Sequence, residues 1–327
     1  MNTLVTLEEA AQRIQQGRPL TIAGAEPLLR RLPRGRWIGG TIPYFMGPDG
    51  GVVSHDRLFV TELPPQAIEV TTRSYDLASL PSFPKDGAPG GCTFLILPAF
   101  SAVHEAFGHD AMNYEGLFDR PVVGWVAGFD LKELGSARAG VIDGATGEYF
   151  TDRAVALHVK LAPGVVARAD IVNIFERGDG PELRFPEGGF KVKDALIDGR
   201  RVPFAAWLKE QRVDTRLPLV ADYSGAMINV SVQTVDAVTG EVSFYAPVFP
   251  EMSYRLARPI TDYAQAFRAQ LEAKQVHPVF TCNCILNFLY GELEGKRTGE
   301  LQGAITFGEI AFMLLNQTMV YLTFEES

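Results

Sequence analysis

Two of the three cysteines in the chain stand one residue apart in the stretch Phe280-Thr-Cys-Asn-Cys284, directly after a short apolar run. Thiols at this spacing suggest a metal site, a reactive thiolate or the edge of a binding pocket. Structural zinc needs four Cys or His ligands, and catalytic zinc needs three plus water. Cys92 is distant, and the strand pattern that follows His277 carries this histidine away from Cys282. The sequence therefore favours a tight strand-to-helix turn over a metal site, and leaves a thiolate at a helix start as an alternative.

The stretch His104-Glu-Ala-Phe-Gly-His109 invites comparison with a zinc-binding helix, in which two histidines are four residues apart. Here they are five apart, which separates them by about 140° on a regular helix. Two side chains so placed do not chelate one ion. We predict a surface helix that runs into a loop rather than a metal site, and a polar contribution of this stretch to a pocket stays open as an alternative.

Glu309 lies between an apolar strand pattern and an apolar run. A carboxylate in such surroundings costs free energy unless it is paired or faces water. A ligand with an amine would supply the pair, and a strand-end acid in water is an equally consistent interpretation. The neighbours predicted to share a pocket with Glu309 comprise two polar residues and three aromatic ones, although aromatic residues at strand ends are often ordinary core: Asn283, Cys284, Tyr44, Trp125 and Phe307.

Motifs for nucleotide cofactors are missing from the sequence. There is no Gly-x-x-x-x-Gly-Lys-Ser/Thr loop, no Gly-x-Gly-x-x-Gly opening a helix after a strand, and no Gly-x-Ser-x-Gly elbow. We therefore predict no cofactor, and we do not predict a hydrolase of the nucleophile-elbow type.

The composition is that of a folded globular protein. The 327 residues carry 30 Lys and Arg against 39 Asp and Glu, a net charge of −9, so the basic face that nucleic acid requires is not expected. Acids occupy the position where a signal peptide would need its apolar core, and no uncharged apolar run approaches the roughly 20 residues of a membrane helix. An odd number of cysteines fits a reducing compartment. We expect a cytoplasmic protein that contacts neither membrane nor nucleic acid.

The elements that must position these residues are mostly strands. Thr6 and Glu9 form a capping box that predicts a helix over 7–16, and Ser101 and Asp262 are placed to begin two more helices. Turn residues predict hairpins within 139–161 and 226–248. The prediction is an α+β fold with mixed or largely antiparallel sheets and packed helices.

An internal echo indicates two related lobes. The stretches 39–63 and 302–324 share a glycine-containing apolar strand, an aromatic turn, a polar insertion and a closing alternating strand. A charged stretch rich in Gly and Pro at 176–191 is the best candidate boundary region. We predict domains at 1–193 and 194–327.

The order of these segments resembles the FIST domain (F-box and intracellular signal transduction), with its N-terminal and C-terminal halves, over nearly the whole chain. Individually the segments are apolar strands with glycines, and their order and spacing carry the resemblance. The segments are "WIGGTIPYFM", "DRLFVTEL", "DRPVVGWVAGFD", "GVIDGATGEYFTDRAVALHV", "LIDGRRVPFAAWLKE", "GEVSFYAPVFPEMSYRLARPITDYAQAF", "VFTCNC" and "GAITFGEIAFMLLNQTMVYL". In two places the chain departs from the family: Pro43-Tyr-Phe45 replaces an acidic motif, and Cys284-Ile285 replaces a glycine and an arginine.

The resemblance implies an intracellular sensory domain that binds small ligands such as amino acids and acts with signalling modules. We therefore expect a stand-alone sensory protein that binds a polar or amino-acid-like molecule in an inter-lobe cleft, with a kinase or cyclase as a possible partner in trans. Glu309 would neutralise a cationic group of the ligand. The alternatives are an enzyme with Cys282 or Cys284 as nucleophile, which we do not favour, and an interaction scaffold without a ligand.

Overall fold

Three consecutive parts of the chain, segments 1 to 3, repeat one order of elements across residues 2–326, the part that this computed structural model describes. Each segment has a strand, a connection, a second strand, a helix, a third strand parallel to the second, a hairpin and a closing strand. Segment 1 comprises β1 (Asn2–Val5), α1 (Leu7–Gln15), β2 (Leu20–Gly24), α2 (Glu26–Leu29), β3 (Trp37–Thr41), β4 (Tyr44–Gly47), β5 (Gly50–Val53) and β6 (Leu58–Glu62).

Segment 2 follows the same order, with short 3₁₀ turns in its connections. It comprises β7 (Ala67–Tyr75), β8 (Cys92–Pro98), α3 (Ala102–Asp110), β9 (Val122–Ala127), β10 (Val141–Asp143), β11 (Glu148–Phe150) and β12 (Ala154–Leu161). The 3₁₀ turns are Leu80–Asp86, Ala111–Asn113, Leu117–Asp119 and Leu131–Glu133.

Segment 3 opens with β13 (Val165–Val172) and is then interrupted by an inserted β-subdomain. The insertion comprises β14 (Leu183–Arg184), β15 (Gly189–Val192), β16 (Asp194–Ile197), β17 (Arg200–Pro203), α4 (Phe204–Glu210), β18 (Leu219–Tyr223), β19 (Ala226–Val230), β20 (Val232–Val235), β21 (Val242–Val248) and β22 (Tyr254–Leu256). The segment then resumes with α5 (Tyr263–Lys274), β23 (Phe280–Cys284), α6 (Ile285–Tyr290), β24 (Gly303–Thr306), β25 (Glu309–Ala311), β26 (Met313–Leu315) and β27 (Met319–Glu326).

The three main sheets have the same strand pattern, and in each the central pair alone is parallel. Their orders are β1-β6-β2-β3-β10-β11, β7-β12-β8-β9-β25-β26 and β13-β27-β23-β24-β4-β5. The equivalent register positions that face each other across the parallel pairs are Ile22 and Gly39, Leu95 and Gly124, and Cys282 and Ala304. The protein is therefore an α+β protein with mixed, largely antiparallel sheets, as the sequence predicts.

The hairpins are exchanged between the segments in a cycle. The β4–β5 hairpin of segment 1 completes the sheet of segment 3, β25–β26 of segment 3 completes that of segment 2, and β10–β11 of segment 2 completes that of segment 1. The two stretches of the sequence echo are β3–β6 and β24–β27, which the topology shows to be equivalent. The structure adds a third member, β9–β12, which the sequence analysis missed.

The inserted subdomain has a hydrophobic core of its own. The rings of Phe185, Phe204, Phe244 and Tyr254 pack there at centroid distances of 5.3 to 6.4 Å. Its strands form the sheets β17-β16-β14-β22-β18-β19 and β15-β21-β20. The predicted domain boundary at 193/194 falls between β15 and β16, inside this insertion, and the division into two domains stays a prediction.

Local signals in the sequence set several element ends correctly. Thr6 and Glu9 form the expected capping box of α1, and Ser101 and Asp262 accept the N-cap hydrogen bonds of α3 and α5. These bonds satisfy backbone N–H groups that lack partners in the first turn of a helix. No helix within residues 2–326 has the length and apolar composition to cross a bilayer.

Candidate functional site

Three of the residues predicted from sequence to bind a ligand lie together in the interior. Glu309 begins β25 and is fully buried beside Cys284, and its Oε2 accepts hydrogen bonds from Thr318 N (3.2 Å) and Thr318 Oγ1 (2.7 Å). Burial raises the pKa of Glu309 to about 8, although the bonds from Thr318 and Cys284 oppose the shift. At neutral pH Glu309 is therefore mainly a neutral carboxylic acid, which is a poor partner for a cation.

Asn283 completes this buried cluster. Its Oδ1 accepts hydrogen bonds from Asn287 Nδ2 (2.9 Å) and from the Cys284 backbone N–H (2.7 Å). Asn283 Nδ2, Asn287 Oδ1 and Glu309 Oε1 are buried without a partner among residues 2–326. Neither Glu309 nor Asn283 nor Cys284 lines the polar or the apolar cavity described below. The cluster is polar interior, and the prediction that these residues bind ligand remains a prediction.

The cysteines are poorly placed for nucleophilic chemistry. Cys282 and Cys284 are buried, and Cys282 Sγ donates a hydrogen bond to Gly124 O (3.3 Å). Burial, with the nearby Glu309, raises the pKa of both thiols well above the usual value. A thiol must ionise and reach its substrate to act as a nucleophile. This geometry argues against the alternative of a cysteine-dependent enzyme.

The three aromatic residues that were predicted to share a pocket with Glu309 lie in three different places. Trp125 lies opposite Glu309 in the paired strands β9 and β25, buried with its ring stacked on Phe280 at 5.8 Å. Phe307 follows β24 and lines an apolar cavity. The Tyr44 hydroxyl bonds Asp130, a residue in the wall of a polar cavity. The structure therefore gathers Glu309, Asn283 and Cys284, with Trp125 on the neighbouring strand. It places Phe307 and Tyr44 at two other sites.

The polar cavity has a volume of about 620 Å³ and lies where β2 and β3 end. The loop that follows β9, residues 128–138, closes it from the side of segment 2. Ends of parallel strands are common places for ligands because backbone and loops diverge there. The residues that line it are Ala25, Glu26, Pro27, Arg30, Thr41, Ile42, Pro43, His55, Gly128, Phe129, Asp130, Glu133, Ala137 and Arg138.

Asp130 is the fixed acid of this cavity and is 7% exposed. Its Oδ1 accepts from Tyr44 Oη (3.2 Å) and Lys132 N (3.0 Å), and its Oδ2 lies 3.0 Å from His55 Nε2. Burial by itself would raise the pKa of Asp130, but the hydrogen bonds from Lys132, Tyr44 and His55 hold it below the usual value. Asp130 is ionised at neutral pH. Because an ionised carboxylate only accepts hydrogen bonds, His55 Nε2 is the donor in this contact.

The other charged groups of the cavity differ in whether they are already paired. Arg30 bonds Glu26 (2.6 Å), and its guanidinium lies 3.8 Å from the centre of the Tyr149 ring. Arg138 and Glu133 are exposed, and within residues 2–326 no hydrogen bond or ion pair engages either side chain. The cavity therefore offers one free guanidinium together with the carboxylates of Asp130 and Glu133, while its third carboxylate, Glu26, is already paired with Arg30.

The apolar cavity, about 400 Å³, occupies the equivalent place in segment 2, where β8 and β9 end. Its closing residue Phe307 follows β24 of segment 3, just as Gly128 and Asp130 follow β9 of segment 2 in the polar cavity. At the third equivalent place, beyond β23, the Tyr44 ring packs edge-on against Phe288 of α6 at 5.6 Å. The threefold repeat thus places two cavities of different chemistry at equivalent positions.

Comparison with known proteins gives a family but no activity. A family model described as "Family of unknown function (DUF6976)" matches residues 5–325. The chain belongs to this family. No curated protein matches the DUF6976 chain. The resemblance to the FIST domain stays a prediction.

Asp130, His55 and Arg138 are not among the site residues predicted from the sequence. Asp130 ends the stretch 119–130, and an acid just after a buried parallel strand is a recognisable signal of a site. His55 approaches Asp130 from the loop between β5 and β6, 75 positions earlier. Nothing in its local sequence predicts this contact.

Proposed function

We propose that this DUF6976 protein binds a small zwitterion, an amino-acid-like molecule, in the polar cavity. The observation that carries the proposal is that one cavity wall contains both a buried, ionised Asp130 and the guanidinium of Arg138, which has no partner of its own. A ligand with an ammonium group and a carboxylate complements both charges. In this proposal the acid that binds the ligand is Asp130. Glu309, the acid predicted from the sequence, is buried elsewhere and does not line this cavity.

The groups around Asp130 suit an ammonium ion. Asp130 Oδ2 accepts one bond, from His55, and an ionised carboxylate oxygen has room for a second donor. The carboxylate of Glu133 is a further acceptor in the same wall. Because Tyr44 and Lys132 already hold Oδ1, the acid is fixed before the ligand arrives.

The groups at the other end suit an anion. Arg138 has five N–H donors in a planar fork that matches a carboxylate in two parallel hydrogen bonds. Arg30 is held by Glu26 and Tyr149, so Arg138 is the guanidinium that is free to bind the anion. Ile42, Pro43 and Phe129 supply apolar wall for a ligand side chain.

A calorimetric titration with the common amino acids and their amine-only and acid-only analogues tests the proposal. We expect one saturable site for a zwitterion, and at least about tenfold weaker binding after Asp130→Asn or Arg138→Gln, since each change removes one charge–charge hydrogen bond worth roughly 1.5–3 kcal/mol. Arg200→Gln is the matched control, because Arg200 is exposed on the inserted subdomain and lines neither cavity.

The proposal fails if no zwitterion in the panel binds, or if Arg138→Gln and Arg200→Gln have equal affinity for the ligand. Asp130→Asn also removes an anchor of residues 128–132, so its thermal unfolding is measured in parallel. Arg138→Gln changes an exposed side chain without a partner and leaves the fold intact.

Sensing is the role that we propose for this binding, in the cytoplasm and with a signalling protein such as a kinase or cyclase in trans. The resemblance to the FIST domain supports this role, and three unpaired cysteines are consistent with a reducing compartment. The well-formed cavities argue against a scaffold without a ligand. The same titration tests the role, because a protein that binds no ligand does not sense one.

A further inference from the structure

Several of the exposed large apolar side chains meet at the apolar cavity. Phe100, Leu134 and Leu289 are 57%, 67% and 41% exposed and line the same space. Single apolar side chains on a surface need no explanation, but a group that surrounds a cavity marks a binding site. The volume of about 400 Å³ lies within the range of roughly 300–1,000 Å³ usual for small-molecule pockets.

Phe100 has a strained backbone at the cavity wall. Its φ of 61° is in the left-handed region, which costs a bulky residue on the order of 1–3 kcal/mol. Its N–H donates to His104 Nδ1 (3.3 Å), and its ring lies 6.3 Å from those of Phe129 and Phe307. Strain of this kind persists where the surroundings hold it, and here it presents an aromatic ring to the cavity.

His104 supplies an unused hydrogen-bond donor in the same wall. Burial lowers the pKa of His104 to about 4, so the ring is neutral at pH 7. Because Nδ1 accepts from Phe100 N–H, the proton of the neutral ring is on Nε2. Nε2 is buried and has no partner within residues 2–326. A buried N–H group without an acceptor destabilises the protein, and a hydrogen bond to an acceptor atom of a ligand would remove that cost.

The inserted subdomain closes the other side of the cavity. Phe190, Phe244 and Tyr245 come from its strands or the loops beside them and face α6 and the end of β8 across the space. The Phe190 ring lies 6.0 Å from that of His104. Most of this wall is apolar, Lys191 at its edge is already paired with Glu241 at 3.0 Å, and the exposed Glu105 is the other charged residue that lines it. The apolar lining therefore favours an uncharged, mainly apolar molecule, because a charge would lose its hydration there.

We propose that this apolar cavity is a second small-molecule site, which takes an uncharged, mainly apolar molecule whose carbonyl or other oxygen acceptor bonds His104 Nε2. This site is separate from the polar cavity in position and chemistry, and it does not depend on the zwitterion proposal. The loop 128–138 lies between the two, with Leu131 and Leu134 on the apolar side and Asp130, Glu133 and Arg138 on the polar side.

Fluorescence of N-phenyl-1-naphthylamine, a neutral apolar dye, tests the site on the full chain. We expect saturable binding of one dye molecule with increased emission. Leu134→Ser and Leu289→Ser should each weaken it about fivefold or more, because each removes apolar contact area from the wall. Leu77→Ser is the matched control, since Leu77 is 52% exposed and lines neither cavity.

The hydrogen bond to His104 is tested by displacing the dye with two molecules of nearly equal shape, propiophenone and propylbenzene. The ketone should displace the dye at least as strongly as the hydrocarbon, although its carbonyl costs more to dehydrate. His104→Phe should reverse the order in favour of the hydrocarbon while keeping the wall aromatic. Non-saturable dye binding, or equal losses in Leu77→Ser and Leu134→Ser, would overturn the site, and an unchanged order in His104→Phe would overturn the role of Nε2.

Discussion

At the scale of single residues, burial decides what an acid does. Glu309 and Asp130 both follow apolar strand patterns, yet Glu309 is sealed in the interior with neutral donors, whereas Asp130 has a histidine, a tyrosine and a backbone N–H around it at a cavity. Desolvation therefore raises the pKa of Glu309, and hydrogen bonds lower that of Asp130. The sequence shows both acids but not these environments.

Glu309 should make the protein less stable as the pH rises. Its folded pKa of about 8 exceeds the ordinary value of 4.5, so between these values the folded state holds a proton that the unfolded state has lost. Stability from this group is complete below pH 4.5 and declines by about 1.4 kcal/mol per pH unit up to about pH 8. Glu309→Gln mimics the protonated acid and should remove this slope.

Chemical unfolding of both proteins at pH 5 and pH 8 measures the effect. The two should have similar free energies of unfolding at pH 5, and the Gln variant should be the more stable at pH 8, by a few kcal/mol. A constant difference between the two proteins at both pH values would contradict a raised pKa. Comparing the variant with the wild type cancels the other titrating groups.

At the scale of elements, the parallel strand pairs need small residues where their backbones approach. A Cβ added at Gly124 of β9 would lie 1.8 Å from the Leu95 carbonyl oxygen of β8, and one at Gly39 of β3 would lie 2.9 Å from Ile22 O. The equivalent residue of segment 3, Ala304, already has a Cβ. The approach of the two strands thus differs among the sheets, and it is closest in segment 2.

Alanine substitutions should follow this order. Gly124→Ala should lower the free energy of unfolding by about 3 kcal/mol or more, because backbone atoms cannot yield to the new methyl group, and Gly39→Ala should cost less. Gly180→Ala is the control, since a Cβ there meets no atom within 4 Å. Denaturant titration gives the three values, and an equal effect at Gly124 and Gly180 would refute the close approach.

At the scale of the whole molecule, the exchanged hairpins tie the three segments together. β4 and β5 complete a sheet whose other strands come from residues 165–326, and β25 and β26 complete one built from residues 67–161. The inserted subdomain, by contrast, has its own core. The chain enters it at Arg177 and leaves it at Ala257, and these two residues form an isolated antiparallel β-bridge. Separating the segments from one another should therefore disrupt their sheets, whereas excising the inserted subdomain should leave its own core intact.

Fragments test this arrangement. Residues 1–193 expressed alone should lack cooperative unfolding, since this fragment exposes the edges where β24 and β25 would pair. Residues 178–257 should fold as an independent β-subdomain. Circular dichroism and thermal unfolding distinguish the outcomes. A stable, cooperative fragment 1–193 would instead support the division into two domains at 193/194.

The sequence by itself determined what depends on near neighbours along the chain. Capping at Thr6, Ser101 and Asp262, the alternating strands, the α+β class and the echo between 39–63 and 302–324 all follow from local hydrogen bonding and hydrophobic periodicity. The third copy, β9–β12, could not be recognised from the sequence, because it preserves the order of strands but little of the residue pattern.

Only the tertiary structure decided where the polar groups meet. His55 reaches Asp130 across 75 positions, and Phe307 closes a cavity of segment 2, because exchanged hairpins and loops bring distant parts of the chain together. Whether an acid such as Glu309 or Asp130 is sealed or faces a cavity depends on every element packed around it. Solvation and pKa are set by that surrounding shell, which no short stretch of sequence contains.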